Sequence, residues 1–368
     1  MVANLRQRFR AWRSCVSACA LGKLLQTRVS CWRDYSALKF NWNTKESFLK
    51  MRSEGKIYHD DWMNNGLPDK SVQLIIADPP YYKVKGDFDF VWKTFDDYLQ
   101  DVERWAIECK RVLADNGTLY WYGDAKNISY AQIIFDKHFN LLNSLVWENT
   151  NDHKQQIRFN TDLRTFAPLT ERLLMYSNET YNLTQCVYLI RDYIRNEITK
   201  AKGKIVLKEV NEALGTATNG GGVASACLSL DKAEPTMLTK EMYEKLQKWC
   251  YPYLRKEYEA LRKEYEALRR PFNNERFYGD VIRLPNYETA NHEHDTPKPE
   301  KLTRELILIS SRPNDLILVP FAGSGTECAM AIKENRNFIG FEINEKHVNY
   351  GNKRTENIKA QPSLFAVS

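Results

Sequence analysis

No two cysteines in this 368-residue sequence stand as a CxxC pair, and no histidine lies at metal-ligand spacing from a partner, which excludes the common structural zinc folds. The eight cysteines (15, 19, 31, 109, 186, 227, 250 and 328) are scattered and read as reduced thiols. The six histidines (59, 138, 153, 292, 294 and 347) form no catalytic pair, and no metal is expected at the site. No apolar run approaches the ~18 residues that would span a bilayer, and the segment from Val16 to Leu25 is broken by Lys23. Acids are missing from the first 33 residues, which hold seven Arg or Lys. Beyond them basic and acidic residues nearly balance, so the net charge of +6 is a property of one end and gives no support to a basic surface over the whole molecule.

What is present is an ordinary globular composition, long enough for one large or two modest domains. Residues 1–50 stand apart as a basic extension. They are Arg-rich and Ser-containing, with a composition similar to a mitochondrial transit peptide. An inert or disordered extension and a basic arm touching phosphates both fit this composition, and Met51 makes an alternative start.

From Lys56 the pattern alternates. Strands are predicted at Lys56–His59, Ser71–Ala77, Gly117–Tyr122, Leu142–Trp147 and Glu171–Tyr176, with helices at Phe95–Leu113 and Ile128–Phe139. Thr94 caps the first helix, and Asp96 and Asp97 suit its amino-terminal dipole. Residues 182–275 change character to short helices separated by glycine turns (Lys204–Leu214 closing at Gly215, Val223–Leu230, Thr239–Trp249), a pattern shared by helix-turn-helix units and many small helical subdomains. The repeated LRKEYEA then spaces Leu254, Tyr258, Leu261, Tyr265 and Leu268 along one stripe, predicting a single packed helix, because two heptads are too few for a coiled coil. Alternation resumes with a strand at Asp315–Val319, a helix at Glu327–Glu334 and a strand at Asn337–Phe341. The expected fold is therefore α/β, a mainly parallel sheet flanked by helices, divided as 51–181, a helical insert at 182–275, and 276–368.

Two segments carry chemistry. In LIIADPPYYK, the run Leu74–Ala77 suits a strand buried on both faces, and it stops at Asp78. Pro79 and Pro80 lack amide donors and hold the turn stiff, so Asp78 and the proline carbonyls are presented as acceptors beyond the carboxyl end of a strand, where ligands sit in open α/β sheets. The second segment is strand, then Phe321, Ala322, Gly323, Ser324, Gly325 and Thr326, then helix, a geometry that brings backbone amides to a ligand. Glu342 ends the following strand, where an acid can bind both hydroxyls of an adenosine ribose. A dinucleotide fingerprint needs a third glycine, and Cys328 stands there instead. That points to an adenosine compound without a pyrophosphate, such as S-adenosylmethionine.

DPPY joined to FAGSGT resembles the amino-methyltransferases of DNA, in the order of the permuted β class: catalytic segment, target-recognition insert, then cofactor-binding half. The resemblance covers about residues 56–355 and implies a Rossmann-like fold with a seven-stranded sheet. It implies Asp78, Pro79, Pro80 and Tyr81 as catalytic residues, and S-adenosylmethionine held by Phe321 to Thr326 and Glu342. The lead-in KIYHDDW places Asp61 at the family's acidic position, with Asp60 able to take its role. HDTPKPEKL is similar to the family's HPTQKP segment and implies Lys298 and Pro299 near the methionine end, although Asp295 and Pro297 depart from that pattern.

The implied reaction is methylation of a base amine in double-stranded DNA after base flipping. Tyr81 would offer a stacking face, and Asp78 and the Pro79 carbonyl would accept the two amine hydrogens. An Asp opening the motif favours N6 of adenine over N4 of cytosine, while an RNA amine methyltransferase and a non-catalytic DNA-binding protein are the other readings. The resemblance further implies a bacterial or phage enzyme of the cytoplasm and nucleoid, monomeric or homodimeric, with a cognate restriction endonuclease as a conceivable partner.

Overall fold

The computed structural model describes residues 55–360, apart from 85–90, 179–182, 219–221, 232–234, 274, 276–278 and 287–297. The expectations for residues 1–50 and for residues 294–297 of the HDTPKP segment lie outside the described residues. Those described belong to one compact unit, Gly55–Ser368.

Eight strands form one sheet: β1 (Ile57–His59), β2 (Val72–Ala77), β3 (Leu113–Gly123), β4 (Asn140–Asn149), β5 (Thr170–Ser177), β6 (Val281–Leu284), β7 (Leu316–Val319) and β8 (Asn337–Glu342). Their order is β1-β8-β7-β2-β3-β5-β4-β6, with β5 antiparallel to both of its neighbours and every other pairing parallel. The sheet thus has one strand more than the seven expected. The extra strand is β6, whose alternating exposed and buried residues gave only a four-residue signal, and which pairs with the outer edge of β4.

The central strands are apolar because both faces are covered. Leu74, Ile75, Ile76 and Ala77 of β2 and Leu316, Ile317, Leu318 and Val319 of β7 are all buried. Fully burying each larger aliphatic side chain contributes about 1.5–3 kcal/mol, which fixes the register of the two strands that end at the chemistry-bearing turns. They pair directly, Leu74 beside Ile317 and Ile75 beside Leu318.

The described helices are α1 (Phe95–Val112), α2 (Ile128–Phe135), α3 (Asp152–Gln156), α4 (Leu183–Lys202), α5 (Leu207–Leu214), α6 (Gly222–Leu228), α7 (Lys240–Trp249), α8 (Tyr258–Leu268), α9 (Glu300–Ser310), α10 (Thr326–Lys333) and α11 (Glu345–Ala360). None is long and apolar enough to cross a membrane. Thr94 and Asp97 close a reciprocal capping box on α1. Its buried stripe, Tyr98, Val102, Trp105 and Cys109, follows helical spacing and turns Trp105 towards the sheet.

Helices α4 to α8 enclose a second apolar core, built on Ile190, Ile194, Ile198, Leu214, Leu246 and Leu261, separate from the core under the sheet. The repeat stripe packs here as expected, but the helix starts later. Leu254 is buried with φ +54°, a conformation no helix continues through, and α8 begins only at Tyr258. The insert leaves the sheet from the end of β5, where Ser177 pairs with Thr118 and with Asn140, the first residue of β4. Its last turn is tied down there as well: Asn116 donates to the carbonyls of Ala267 and Arg269, and Arg312 donates to those of Glu266 and Arg269. This is the amino edge of the parallel strands, opposite the edge where β2 and β7 end.

Candidate active site

At the carboxyl edge a cavity of about 550 Å³ opens between the turn after β2 and the turn after β7. Asp78, Pro79, Pro80 and Tyr81 line one side, and Phe321, Ala322, Gly323, Ser324, Thr326 and Glu342 line the other, with Asp60, Asp61 and Lys298 also on the wall. Two segments far apart in the sequence meet because β2 and β7 are hydrogen-bonded neighbours. Pro299 and Gly325, expected at the cofactor, are not on the wall. Pro299 is the N-cap of α9. Gly325 is buried with φ +73°, and a Cβ on it would stand 3.0 Å from Ile57 Cδ1 and 3.2 Å from Gly351 Cα, so it serves the packing of the turn onto α11.

The turn after β7 is held from below. Gly323, at φ +47°, donates its backbone N–H to Glu342 Oε2 at 2.9 Å, and the Glu342 Oε1 accepts from Asn344 N at 2.8 Å. The acid at the tip of β8 therefore orients the glycine turn and still faces the cavity. Arg354 of α11 donates to the Ser324 carbonyl and to Thr326 Oγ1, which commits the Thr326 hydroxyl to the protein. Asp61 caps the short turn Trp62–Asn64 through Met63 N, while Asp60 Oδ1 accepts from Asp61 N and Asn64 Nδ2. Both carboxylates line the cavity.

Around Asp78 there is a linked, largely buried network. The Tyr81 hydroxyl donates to Asp78 Oδ1 at 2.5 Å, and the Lys298 ammonium lies 2.9 Å from Asp78 Oδ2 and 2.9 Å from Glu171 Oε2. Burial by itself would lower the Lys298 ammonium, but Asp78 and Glu171 outweigh it and hold its pKa above the ordinary lysine value. The Tyr81 phenol is pushed well above its usual value, first by burial and then by the charges of Asp78 and Glu171, so it stays a donor. Tyr81 is 8% exposed, and the expected stacking platform is in this structure chiefly a brace for Asp78. Lys298, expected near the methionine end of the cofactor, lines the cavity, and its ammonium is seated between two carboxylates.

Four residues that sequence reasoning passed over belong to the site. Glu171 is the second residue of β5, and nothing in its local sequence distinguishes it from a strand-edge acid. Trp105 and Trp62 each pack edge-on against Phe321, with ring centroids 5.0 and 6.1 Å apart, forming an aromatic wall. The helical spacing of the α1 stripe signalled that Trp105 points inward, though not that it reaches a cavity. Glu327, 5% exposed, stands at the second position of α10 on the cavity wall. Six acids line the cavity (Asp60, Asp61, Asp78, Asp101, Glu327 and Glu342) against Lys298 and Arg104 as the lysine and arginine. Such a site favours a cationic ligand.

A Rossmann-like sheet with an Asp-Pro-Pro-Tyr turn and a glycine turn converging on one cavity defines a group-transfer enzyme of the methyltransferase class. The chain belongs to the DNA methylase family of N6 and N4 methyltransferases, which matches residues 72–353. It is 27% identical over 298 residues to the DNA adenine methyltransferase YhdJ of Escherichia coli K12, covering 79% of this chain and 78% of that protein. Over 295 residues it is 27% identical to the type II methyltransferase M1.MboII of Moraxella bovis, covering 78% of this chain and 90% of the relative. The type II methyltransferase M.HinfI of Haemophilus influenzae is 25% identical over 313 residues, which are 81% of this chain and 66% of that one.

Proposed function

We propose that this protein methylates the exocyclic N6 amine of an adenine flipped out of duplex DNA, at a specific site, with S-adenosylmethionine as methyl donor. The observation that carries the reading is that Asp78 and Glu342 face one acid-lined cavity from the ends of β2 and β8. The residues fit the donor. Glu342 suits the ribose hydroxyls, with Asp60 or Asp61 beside it, and the excess of carboxylates suits a ligand that carries a sulfonium. When bound, S-adenosylmethionine supplies an electrophilic methyl group.

The protein's part is positioning. An aniline-like amine is a weak nucleophile because its lone pair is delocalised into the base. Asp78 and the Pro79 carbonyl accept its two hydrogens, which turns the lone pair out of the ring plane and towards the donor. Each carboxylate oxygen has two acceptor positions. Tyr81 and Lys298 therefore fix the plane of Asp78 and still leave an acceptor for the amine. The proton is lost after methylation, when the nitrogen has become acidic, and Asp78 is the nearest base.

Adenine is favoured over cytosine by Asp at the first motif position, and two kinds of relative support site-specific action: one named for adenine, the others named type II methyltransferases. The separately packed helices of 183–268 are the candidate for target recognition. The type II names of two relatives support a cognate endonuclease as a partner in this reading. The test is transfer of labelled methyl from S-adenosylmethionine to duplex DNA and to RNA, followed by nucleoside analysis. N6-methyladenine in the duplex is expected; N4-methylcytosine alone, or label in RNA alone, overturns the proposal.

A further inference from the structure

Glu327 is a buried acid on the cavity wall that the reading above leaves without a task. Its residue exposure is 5%, its Oε1 accepts no hydrogen bond from any described residue, and it stands beside the glycine turn at the start of α10. Leaving a buried carboxyl oxygen unsatisfied costs on the order of 1–3 kcal/mol, so such a group in a binding cavity is a place to expect a donor from the ligand. The other acids of the cavity are accounted for. Glu342 holds the amides of Gly323 and Asn344, Asp61 caps its turn, Asp60 braces Asn64, Asp101 accepts from the Trp92 indole, and Asp78 is bound by Tyr81 and Lys298.

Resting on the donor reading above, we infer that Glu327 binds the α-ammonium group of the methyl donor. The donor has two cationic centres. The sulfonium carries the methyl group that must face Asp78 and has no N–H to give. The ammonium has three N–H donors, which is what an unsatisfied carboxyl oxygen requires. Glu327 shares the cavity wall with the Gly323–Thr326 turn on its own side and with Asp78 and Lys298 across it. An ammonium seated there pairs a buried charge with a buried charge, a hydrogen-bonded contact of the strong, charge-assisted kind. The position on α10 adds selectivity, because the amino end of a helix tolerates a carboxylate and disfavours a bare cation. The ammonium is therefore accepted only in contact with Glu327.

The test uses calorimetry with S-adenosylhomocysteine, which keeps the ammonium and has no sulfonium, and with its desamino counterpart. The wild-type pair is read first because it needs no variant. S-adenosylhomocysteine is expected to bind at least about tenfold more tightly than the desamino compound, as loss of one charge-assisted contact of about 1.4 kcal/mol would give. In Glu327→Gln that gap is expected to collapse to within about threefold, with the desamino compound binding as it does to wild type. A gap absent from the wild type, or one that persists in Glu327→Gln, overturns the role of Glu327 and leaves the donor reading intact. So does an equal loss of both compounds in the variant, which marks a structural role. Binding of neither compound to the wild type removes the donor reading itself, and this inference with it.

Discussion

The Lys298 ammonium lies 2.9 Å from Asp78 Oδ2, joining the segment before α9 to the turn after β2. Glu171 Oε2 is equally close, so Lys298 bridges two carboxylates drawn from two further elements of the fold. Lys298→Met should destabilise the protein by about 2–4 kcal/mol, below the full cost of breaking a buried pair because both carboxylates keep some contact with water. Urea unfolding measures this. A change under about 1 kcal/mol would show that the two acids tolerate one another without the lysine.

Asp78→Ala and Glu342→Ala should separate chemistry from binding. Asp78→Ala is expected to reduce methylation by at least about a thousandfold while donor affinity stays within about threefold, since Asp78 acts on the amine. Glu342→Ala should weaken donor binding by at least about tenfold, through loss of the ribose contact and of the brace on Gly323. Calorimetry beside a methyl-transfer assay gives both readouts. Equal loss of donor binding in the two variants would mean that the assignment of the two ends is wrong.

Burial lifts the Glu327 carboxyl from the ordinary 4.5 to about 7; its own backbone N–H opposes the rise and Asp78 adds to it, while Lys298 and Arg354 lower it. The Glu327 charge in turn helps, after burial, to raise the Tyr122 phenol of β3. The folded state holds the Glu327 proton where the unfolded state has lost it, so the associated stability is fully present below about pH 4.5 and is lost as the pH rises to about 7. The difference is on the order of 3 kcal/mol. Glu327→Gln does not titrate, so its stability relative to wild type should rise by that order between pH 4.5 and pH 8 in urea unfolding. A difference that does not change with pH would remove the raised carboxyl.

Gly325→Ala should cost about 1–3 kcal/mol, because φ +73° disfavours a side chain and the new Cβ meets Ile57 and the Gly351 backbone. Donor affinity of the protein that remains folded should change by less than about threefold, since Gly325 does not line the cavity. A loss of donor binding larger than the loss of stability explains would return Gly325 to the ligand-contacting residues.

The strands and the two turns were legible because they depend on local signals: four buried aliphatic residues, two prolines, and glycines between a strand and a helix. The pairing of β2 with β7 is a contact between segments far apart in the chain, which no local signal carries. What could not be read was any contact made across the sheet. Glu171 reaches Lys298 only because β5 runs antiparallel beside β3, and an acid at a strand tip looks the same whether it faces solvent or an ammonium. Tyr81 was legible as part of the turn, but its hydroxyl bond to Asp78 depends on a rotamer that burial selects. Pro299 and Gly325 sit inside the two motifs yet off the cavity wall, one as the N-cap of α9 and the other in a left-handed conformation, and a motif does not say which of its members faces a ligand.

The helices of 183–268 are hung from the amino edge of the sheet, while Asp78 and Glu342 stand at the other edge. Changes at those ties are therefore separated from the turns after β2 and β7 by the length of the central strands.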